Sequence, residues 1–519
     1  MVEVTALMRR WWVLILFVAC QIPYLAQPIG GLHKWRQADT AAVARNLAIE
    51  SADTLRPRID MRGELSGITG MEFPLYQAMV ASGIAVFGDH DLIGKAVALF
   101  GAVAAWLSLS ALLVRRFGID RTSAHAAIFL SPILFTFASK VMPEMTALAL
   151  ACVAAERTDA WISTRRSRDL AMAAVALALA ALVRPYVVFA GAPLLIAWIA
   201  TLRHPAPLGR HTLGWDAMLA GTLAALPFLW WYYRWCPNLV NTFGLDYFFG
   251  GRPLRDNLAE MAHPRLWGTL ASSLGQHVVN WMALPVFAVG TWLLVRRLRS
   301  GSLPVQAAWL VLGIAGIALP GLLLLIGSHF SPHHYYFLVL VIPTAAIVGL
   351  GLQHLRDRWP RAAQALLPIL LIGSSLQWFH TWLPDRGWRA YDGILASGGL
   401  PDHGLAAIED RGHYAWHLHP LRARGWIVSR GALYDHHTIE RLRRAGLAWV
   451  VLTDSTGTYQ LHAVAEWQAG LVGSKPGSDI RVFPLLTVSP KPATPPHHDV
   501  APAHEADAGS GSATTNAER

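Results

Sequence analysis

The chain is short of charge and of cysteine. Only 15% of its 519 residues are Asp, Glu, Lys or Arg, against about 25% in an ordinary soluble domain. That shortfall, beside a hydrophobic content of 54%, argues against a soluble protein. There are 3 cysteines. Cys20 and Cys152 fall inside apolar runs and Cys236 in a connection, so no disulfide framework is implied. A signal-peptidase site is missing too. The first apolar run follows Arg9 and Arg10 but leads into "QPIGGLHKWRQ", with no A-x-A-like motif, so it reads as an uncleaved anchor. No soluble-type repeat is visible.

What the chain has instead is long apolar runs. Eleven are near the roughly 20 residues that cross a bilayer: 11–27, 91–113, 122–138, 143–156, 169–183, 186–202, 216–233, 277–295, 304–327, 335–353 and 362–380. The 22 tryptophans suit interfacial belts, with some left for packing. The sequence thus predicts a mainly α, polytopic membrane protein.

Charge sets the orientation. The connections "RRFGIDR", "ERTDAWISTRRSRD", "LRHPAPLGRH", "RRLRSG" and "LRDRWPR" are all short and Arg-rich. With Arg9 and Arg10 they form one set, cytoplasmic by the positive-inside rule. The net charge of +10 is mostly this bias. The cations are spread over membrane flanks rather than gathered in one domain, so nucleic acid is not an expected partner. The opposite connections are then external: 28–90, 139–142, Arg184–Pro185, 234–276, 328–334 and everything after 380. These are the longer ones and hold the unusual polar residues. The N-terminus is expected in the cytoplasm and the chemistry outside the cell (inner) membrane, in the periplasm where the host has two membranes.

Three parts follow. Residues 1–380 form the membrane domain, with 28–90 as its first external loop. Residues 381–488 read as a small soluble α/β domain. There "TIERLRRAG" is a helix closed by Gly446, "LAWVVLTD" a buried strand, and "GLAAIED" and "IRVFPLL" further strands. Residues 489–519 are Pro-, Ala- and polar-rich and are expected to be disordered. Within the first loop, "DTAAVARNLAIE" is helical in composition, with Asp39 placed as its N-cap. "LRPRIDMRGELSG" is extended and turn-like. A second helix starts near Pro74, with Leu75, Met79 and Ile84 suited to a lipid interface.

Polar groups collect at this outer face. Besides Asp39 there are Glu72, Glu144 in "SKVMPEMTAL", Arg184 at an outer turn, and "SHFSPHHYY" with His329, His333, His334 and Tyr336. Singly, each has an ordinary explanation as cap, snorkelling cation or loop residue. Ionisable groups together near a bilayer point to function.

"WRQADTAAVARNL", "PRIDMRG" and "GMEFPLYQAMVASGIAVFG" resemble the first outer loop of bacterial GT-C glycosyltransferases. The group is glycosyltransferase family 39, the protein-mannosyltransferase-like one that includes aminoarabinose and galacturonic acid transferases. "HHYYFLVLVIPTAAIVGLGL" resembles the family's His-x-Tyr-Tyr segment. Where family members carry Asp followed by Glu, Thr40 follows Asp39 here.

The resemblance implies a GT-C fold and an inverting transferase using a polyprenyl-phosphate-linked sugar, with an acceptor in the envelope (lipid, glycan or protein) and membrane lipid around it. It implies Asp39 as the catalytic carboxylate, kept ionised by nearby cations. Lys34, Arg36, Arg45, Arg184, His333, His334 and Tyr336 would bind donor phosphate or sugar. Glu72 and Glu144 are supporting carboxylates. No cofactor is certain. A divalent metal ion is left open, because His329, His333 and His334 have donor atoms but no tight ligand spacing. The rival class is a transporter or flippase of a lipid-linked or small polar solute. Such proteins keep substrate groups near the midplane of repeated halves, whereas these spans hold few ionisable residues.

Overall fold

A computed structural model describes residues 2–203, 211–245, 253–379, 405–409, 415–429, 432, 435–452 and 481–484. The expected tail at 489–519 and all of 381–404 lie outside the described residues. The first half of the chain is α1 (Val2–Leu25), α2 (Lys34–Ile49), α3 (Leu75–Phe87), α4 (Asp91–Phe117), α5 (Arg121–Phe129), α6 (Pro132–Phe137), α7 (Glu144–Thr164), α8 (Ser167–Val183) and α9 (Ala192–Arg203). There follow α10 (His211–Trp230), α11 (Cys236–Phe243), α12 (Leu254–Met261), α13 (Pro264–Ser273), α14 (Leu284–Arg299), α15 (Val305–Ala308), α16 (Ile314–Ile326), α17 (Val341–Arg358) and α18 (Pro360–Phe379). All eleven apolar stretches are largely helical. The third is broken into α5 and α6 at Leu130–Ser131, where Pro132 opens the second piece. Among the described residues, four helical stretches are long and apolar enough to cross a bilayer by length and composition: Asp91–Phe117, Trp281–Arg299, Val305–Phe330 and His334–Arg358. The chain is a polytopic, mainly helical membrane protein.

Small residues set the helix packing. α7 lies against α4 and α8, and α14 against α17. A Cβ on Gly290 would come within 1.9 Å of the Ile347 carbonyl oxygen, and one on Gly351 within 2.2 Å of that of Val286. The α14 and α17 backbones therefore approach as closely as glycine permits, the usual device where lipid removes the hydrophobic drive between helices. Larger side chains fill the centre: Phe17 of α1 packs on Trp106, Phe129 and Phe135.

The loop helices sit differently from expectation. α2 begins at Lys34, and His33 before it adopts a left-handed conformation at φ 57°. Asp39 is therefore in the helix interior and caps nothing. α3 begins at Leu75 with Pro74 as the residue before it. Its 13 residues span about 20 Å, too short to cross. Met79 and Val86 face outward, but Ile84 is buried against Tyr76 and Val80. The interfacial face is thus rotated from the one expected, because Ile84 completes the contact between α3 and α4.

The last described part is a four-stranded sheet. Strands β1 (Leu405–Glu409), β2 (Arg424–Val428), β3 (Leu447–Leu452) and β4 (Arg481–Pro484) lie in the order β2-β1-β3-β4. The first three are parallel and β4 is antiparallel to β3. Helix α19 (His436–Arg444) leads into β3, with Asp435 capping it through the Thr438 amide at 2.9 Å. Leu442 packs beside Ala407, Leu447 and Val450. β2 was not foreseen: Arg424 and Gly425 break the apolar pattern of "RGWIV".

The sheet edge is joined to the first loop. Gly425 donates to the Asp60 carbonyl at 3.1 Å, and its own carbonyl accepts from Arg62 (3.0 Å) and Gly63 (2.7 Å). Side chains reinforce the joint. Arg45 bonds Asp89 at 2.8 Å and Asp60 at 3.3 Å, and meets His419 Nδ1 at 3.0 Å. His419 Nε2 reaches Asp91 at 2.9 Å, and Arg424 pairs with Glu50 at 2.8 Å. Lys34 lies over the Trp416 ring, 3.9 Å from its centre.

Candidate active site

The site is built where α2 meets the outer turns of the membrane helices. Along α2, Arg36 and Asp39 are three residues apart and share a face. Arg36 pairs with Glu72, which stands just before α3. Glu72 also accepts from Gln77 at 3.2 Å and lies 3.8 Å from Arg184. Arg184, at the turn after α8, pairs in addition with Glu144 at the start of α7. All four are at least nine-tenths buried. Two cations and two carboxylates thus neutralise one another in a chain drawn from α2, the α3 approach, α7 and the α8 turn. Burial pushes the Glu72 carboxyl up, but Arg36 and then Arg184 outweigh it and hold it below its ordinary value.

Asp39 stands beside this chain and outside it. It is half-buried, and among the described residues no hydrogen bond or ion pair reaches its carboxylate. Burial raises its pKa to about 7 against the pull of Arg36, and the charges of Asp60 and Glu72 add to the rise. The expectation that cations keep Asp39 firmly ionised is therefore corrected. Arg36 and Arg184 spend their charge on Glu72 and Glu144, so Asp39 titrates near neutrality.

The third component is aromatic. His33 stacks on Phe137, with ring centres 5.9 Å apart, and lies 5.3 Å from His334 and 5.1 Å from Tyr335. His333 is 5.9 Å from His33. His277, from the turn before α14, stacks on His334 at 4.1 Å. Tyr336 meets Tyr186 edge-on at 5.2 Å, and the Arg184 guanidinium lies 5.7 Å from the Tyr335 ring centre. Buried ring nitrogens of His33 (Nε2), His333 (Nδ1) and His334 (Nε2) have no hydrogen-bond partner among the described residues. Burial, with His333 and Lys140 adding, lowers the His33 pKa to about 3, so the ring is neutral.

Of the residues singled out in the sequence, Arg36, Asp39, Glu72, Glu144 and Arg184 come together, and His333, His334 and Tyr336 stand in one aromatic group around Tyr335 and Tyr186. Two do not join them. Arg45 is taken up by Asp60, Asp89 and His419 in the joint to the sheet, and Lys34 faces Trp416. These two cations therefore lie in the joint between the first loop and the sheet and not beside Asp39. His33, His277 and Lys140 belong to the site region but escaped the sequence reading. His33 was passed over beside the denser Lys-Arg-Asp run, and His277 and Lys140 sit singly at the ends of apolar runs. Among the described residues, no three His, Cys, Asp or Glu side chains are arranged to hold a metal ion. His33 stacks on His333 and His277 on His334 instead of their nitrogens converging on one point.

No family model matches the sequence, and no curated protein matches it. Solved structures do. That of ArnT from Cupriavidus metallidurans in the apo state matches with a TM-score of 0.61 at 14% identity, over 91% of this chain and 97% of that one. The same protein bound to undecaprenyl phosphate gives 0.59 at 13%, over 93% and 100%. The archaeal oligosaccharyltransferase AglB from Archaeoglobus fulgidus, in complex with an inhibitory peptide and a dolichol-phosphate, gives 0.51 at 12%, over 89% and 71%. At such identities the likeness is one of fold, and the chain has the GT-C fold.

Proposed function

We propose that this chain is an inverting membrane glycosyltransferase that takes a sugar from a polyprenyl-phosphate donor and delivers it to an extracytoplasmic acceptor. The observation that carries the reading is Asp39: a carboxylate without a partner among the described residues, held on helix α2 beside a neutralised chain of buried Arg and Glu. A carboxylate that serves only structure would be paired. The structural neighbours' lipid phosphates, undecaprenyl phosphate and a dolichol-phosphate, favour a lipid-linked donor over a nucleotide sugar. They also favour transfer over transport.

The chemistry fits the residues. The acceptor hydroxyl attacks the anomeric carbon, and the bond from that carbon to the phosphate oxygen breaks. The lipid phosphate leaves with the electron pair, and Asp39 takes the hydroxyl proton as general base. Because attack and departure occur on opposite faces, the configuration inverts. Arg36 and Arg184 act through their pairs with Glu72 and Glu144, fixing the geometry while adding little net charge.

The outer face is external in this reading, since the Arg-rich connections such as "RRLRSG" lie on the other side. Reporter fusions at Arg299 and Gly399 should give opposite sides of the membrane; the same side for both would reverse it. The test of mechanism is Asp39→Asn in purified full-length protein. Transfer from a polyprenyl-phosphate sugar to envelope extract should fall about 10²–10⁴-fold, the range for a positioned general base. Donor binding should be retained. A loss of less than about threefold, far below that range, removes Asp39 from the role and moves it to Glu72 or Glu144.

A further inference from the structure

Lys140 lies in the turn between α6 and α7, on the outer face, and is 8% exposed. Among the described residues its one hydrogen-bond partner is the Gly30 carbonyl, at 3.4 Å, and no carboxylate pairs with it. This contrasts with the two arginines of the site and with the two cations of the joint to the sheet. Arg36 has Glu72, Arg184 has Glu144, Arg45 has Asp60 and Asp89, and Lys34 has the Trp416 face. Lys95 nearby donates to the carbonyls of Tyr24 and Gln27. A buried ammonium with a single long contact is costly unless something anionic joins it.

The surroundings are built to hold it there. Gln37 donates to the carbonyls of Gly30 (3.1 Å) and Leu32 (3.0 Å) and accepts from the Val141 amide at 3.3 Å. One side chain thus pins the Gly30–Leu32 segment to the Lys140–Val141 turn. His33 follows that segment directly, and its charge interaction with Lys140 is felt in its lowered basicity. Its Nε2, with His333 Nδ1 and His334 Nε2, is buried and unpartnered. A single ammonium and neutral imidazole N–H groups form a donor set for phosphate oxygens.

We propose that Lys140 and His33, with His333 and His334, form the phosphate subsite of this protein. Its ligand is the phosphate monoester end of the polyprenyl chain, the group released when the sugar leaves. This rests on the transferase reading and deepens it, because it separates the residues that hold the leaving phosphate from Asp39. The paired Arg36 and Arg184 are then scaffold for the site, and Lys140 supplies its uncompensated positive charge.

The test uses the full-length protein in nanodiscs, with undecaprenyl phosphate, undecaprenol and inorganic phosphate as probes. Wild type should bind undecaprenyl phosphate at least about tenfold more tightly than undecaprenol, as loss of a desolvated charge pair implies. Lys140→Met should remove that preference and leave undecaprenol binding unchanged. His33→Gln should weaken it partly.

A second readout separates ligand binding from fold. With no ligand, Lys140→Met should melt at or above the wild-type temperature, because an apolar chain of similar size replaces an uncompensated charge. A large drop in that temperature would make Lys140 a structural residue and overturn the proposal. So would unchanged phosphate preference in Lys140→Met, or equal binding of undecaprenol by wild type. Inorganic phosphate alone binding, with the lipid phosphate ignored, overturns the lipid source. If wild type transfers sugar yet Lys140→Met binds normally, this subsite fails while the transferase reading stands. If wild type neither transfers nor binds any probe, both fail.

Discussion

Asp39 carries a titration that the reaction can report. Burial raises its pKa to about 7, so the base form is gained as pH rises through neutrality. The rate of transfer should therefore climb with pH along a limb of apparent pKa about 7 and flatten above it. A profile that is flat across that region in wild type would show the base is another group. Stability runs the other way. The folded pKa lies above the ordinary carboxylate value of 3.8, so the protonated form favours the fold, and that advantage fades as pH rises through about 7. Asp39→Asn, which cannot ionise, should be at least as heat-stable as wild type on the alkaline side. This sharpens the meaning of the substitution: an inactive but equally or more stable Asp39→Asn protein is a chemical defect. His33, lowered to about 3 by burial and its cationic neighbours, stays neutral through the same window and adds no limb.

The helices show where sequence patterns carry information and where they stop. Apolar run length alone marked eleven stretches that are largely helical, four of them long and apolar enough to cross a bilayer among the described residues, because backbone groups in lipid leave few alternatives to a helix. The strands "LAAIE", "LAWVVL" and "RVFP" were equally visible as apolar runs bounded by turn residues. The start of α2 was not. "HKWRQADT" has a plausible cap at Asp39, but Trp35, Arg36 and Gln37 are acceptable helix formers. Their burial against Glu72 and the Gly30 carbonyl extends the helix back to Lys34. The candidate site was half legible for a related reason. Sequence shows which polar residues share a membrane face, and Asp39, Arg36, Glu72, Glu144 and Arg184 were all marked. It does not show which cations already have partners: Arg45 has Asp60 and Asp89, and Lys34 has the Trp416 ring. Packing at the α14–α17 seam gives an independent test. Gly290→Ala should lower the melting temperature, at a cost of about 1–3 kcal/mol for overpacking. Gly316→Ala, where a Cβ meets nothing within 4 Å, should not. Equal behaviour of the two in a detergent melt would mean that the seam yields without strain.

At the scale of the whole molecule, the outer sheet and the loop that bears Asp39 are one hydrogen-bonded unit. Gly425 is the joint. Its φ of 149° and the 1.9 Å a Cβ would leave to the Ala406 carbonyl oxygen both require glycine. Gly425→Ala should push β2 away from β1, disturb the bonds of Gly425 to the loop, raise protease sensitivity of the sheet domain and reduce transfer, with the membrane helices still folded. Full activity with an intact digest pattern would show the joint to be dispensable. The bonds of Asp60, Arg62 and Gly63 to that glycine carry a further implication for how such chains are recombined. Loop residues 28–90 match their own outer domain atom by atom, through Arg45 to His419 and Glu50 to Arg424 as well. Exchanging the outer domain with that of a relative, to change the acceptor, would strand buried charges on both sides of the graft. The two distant segments therefore travel as a pair, and a working chimera must carry both.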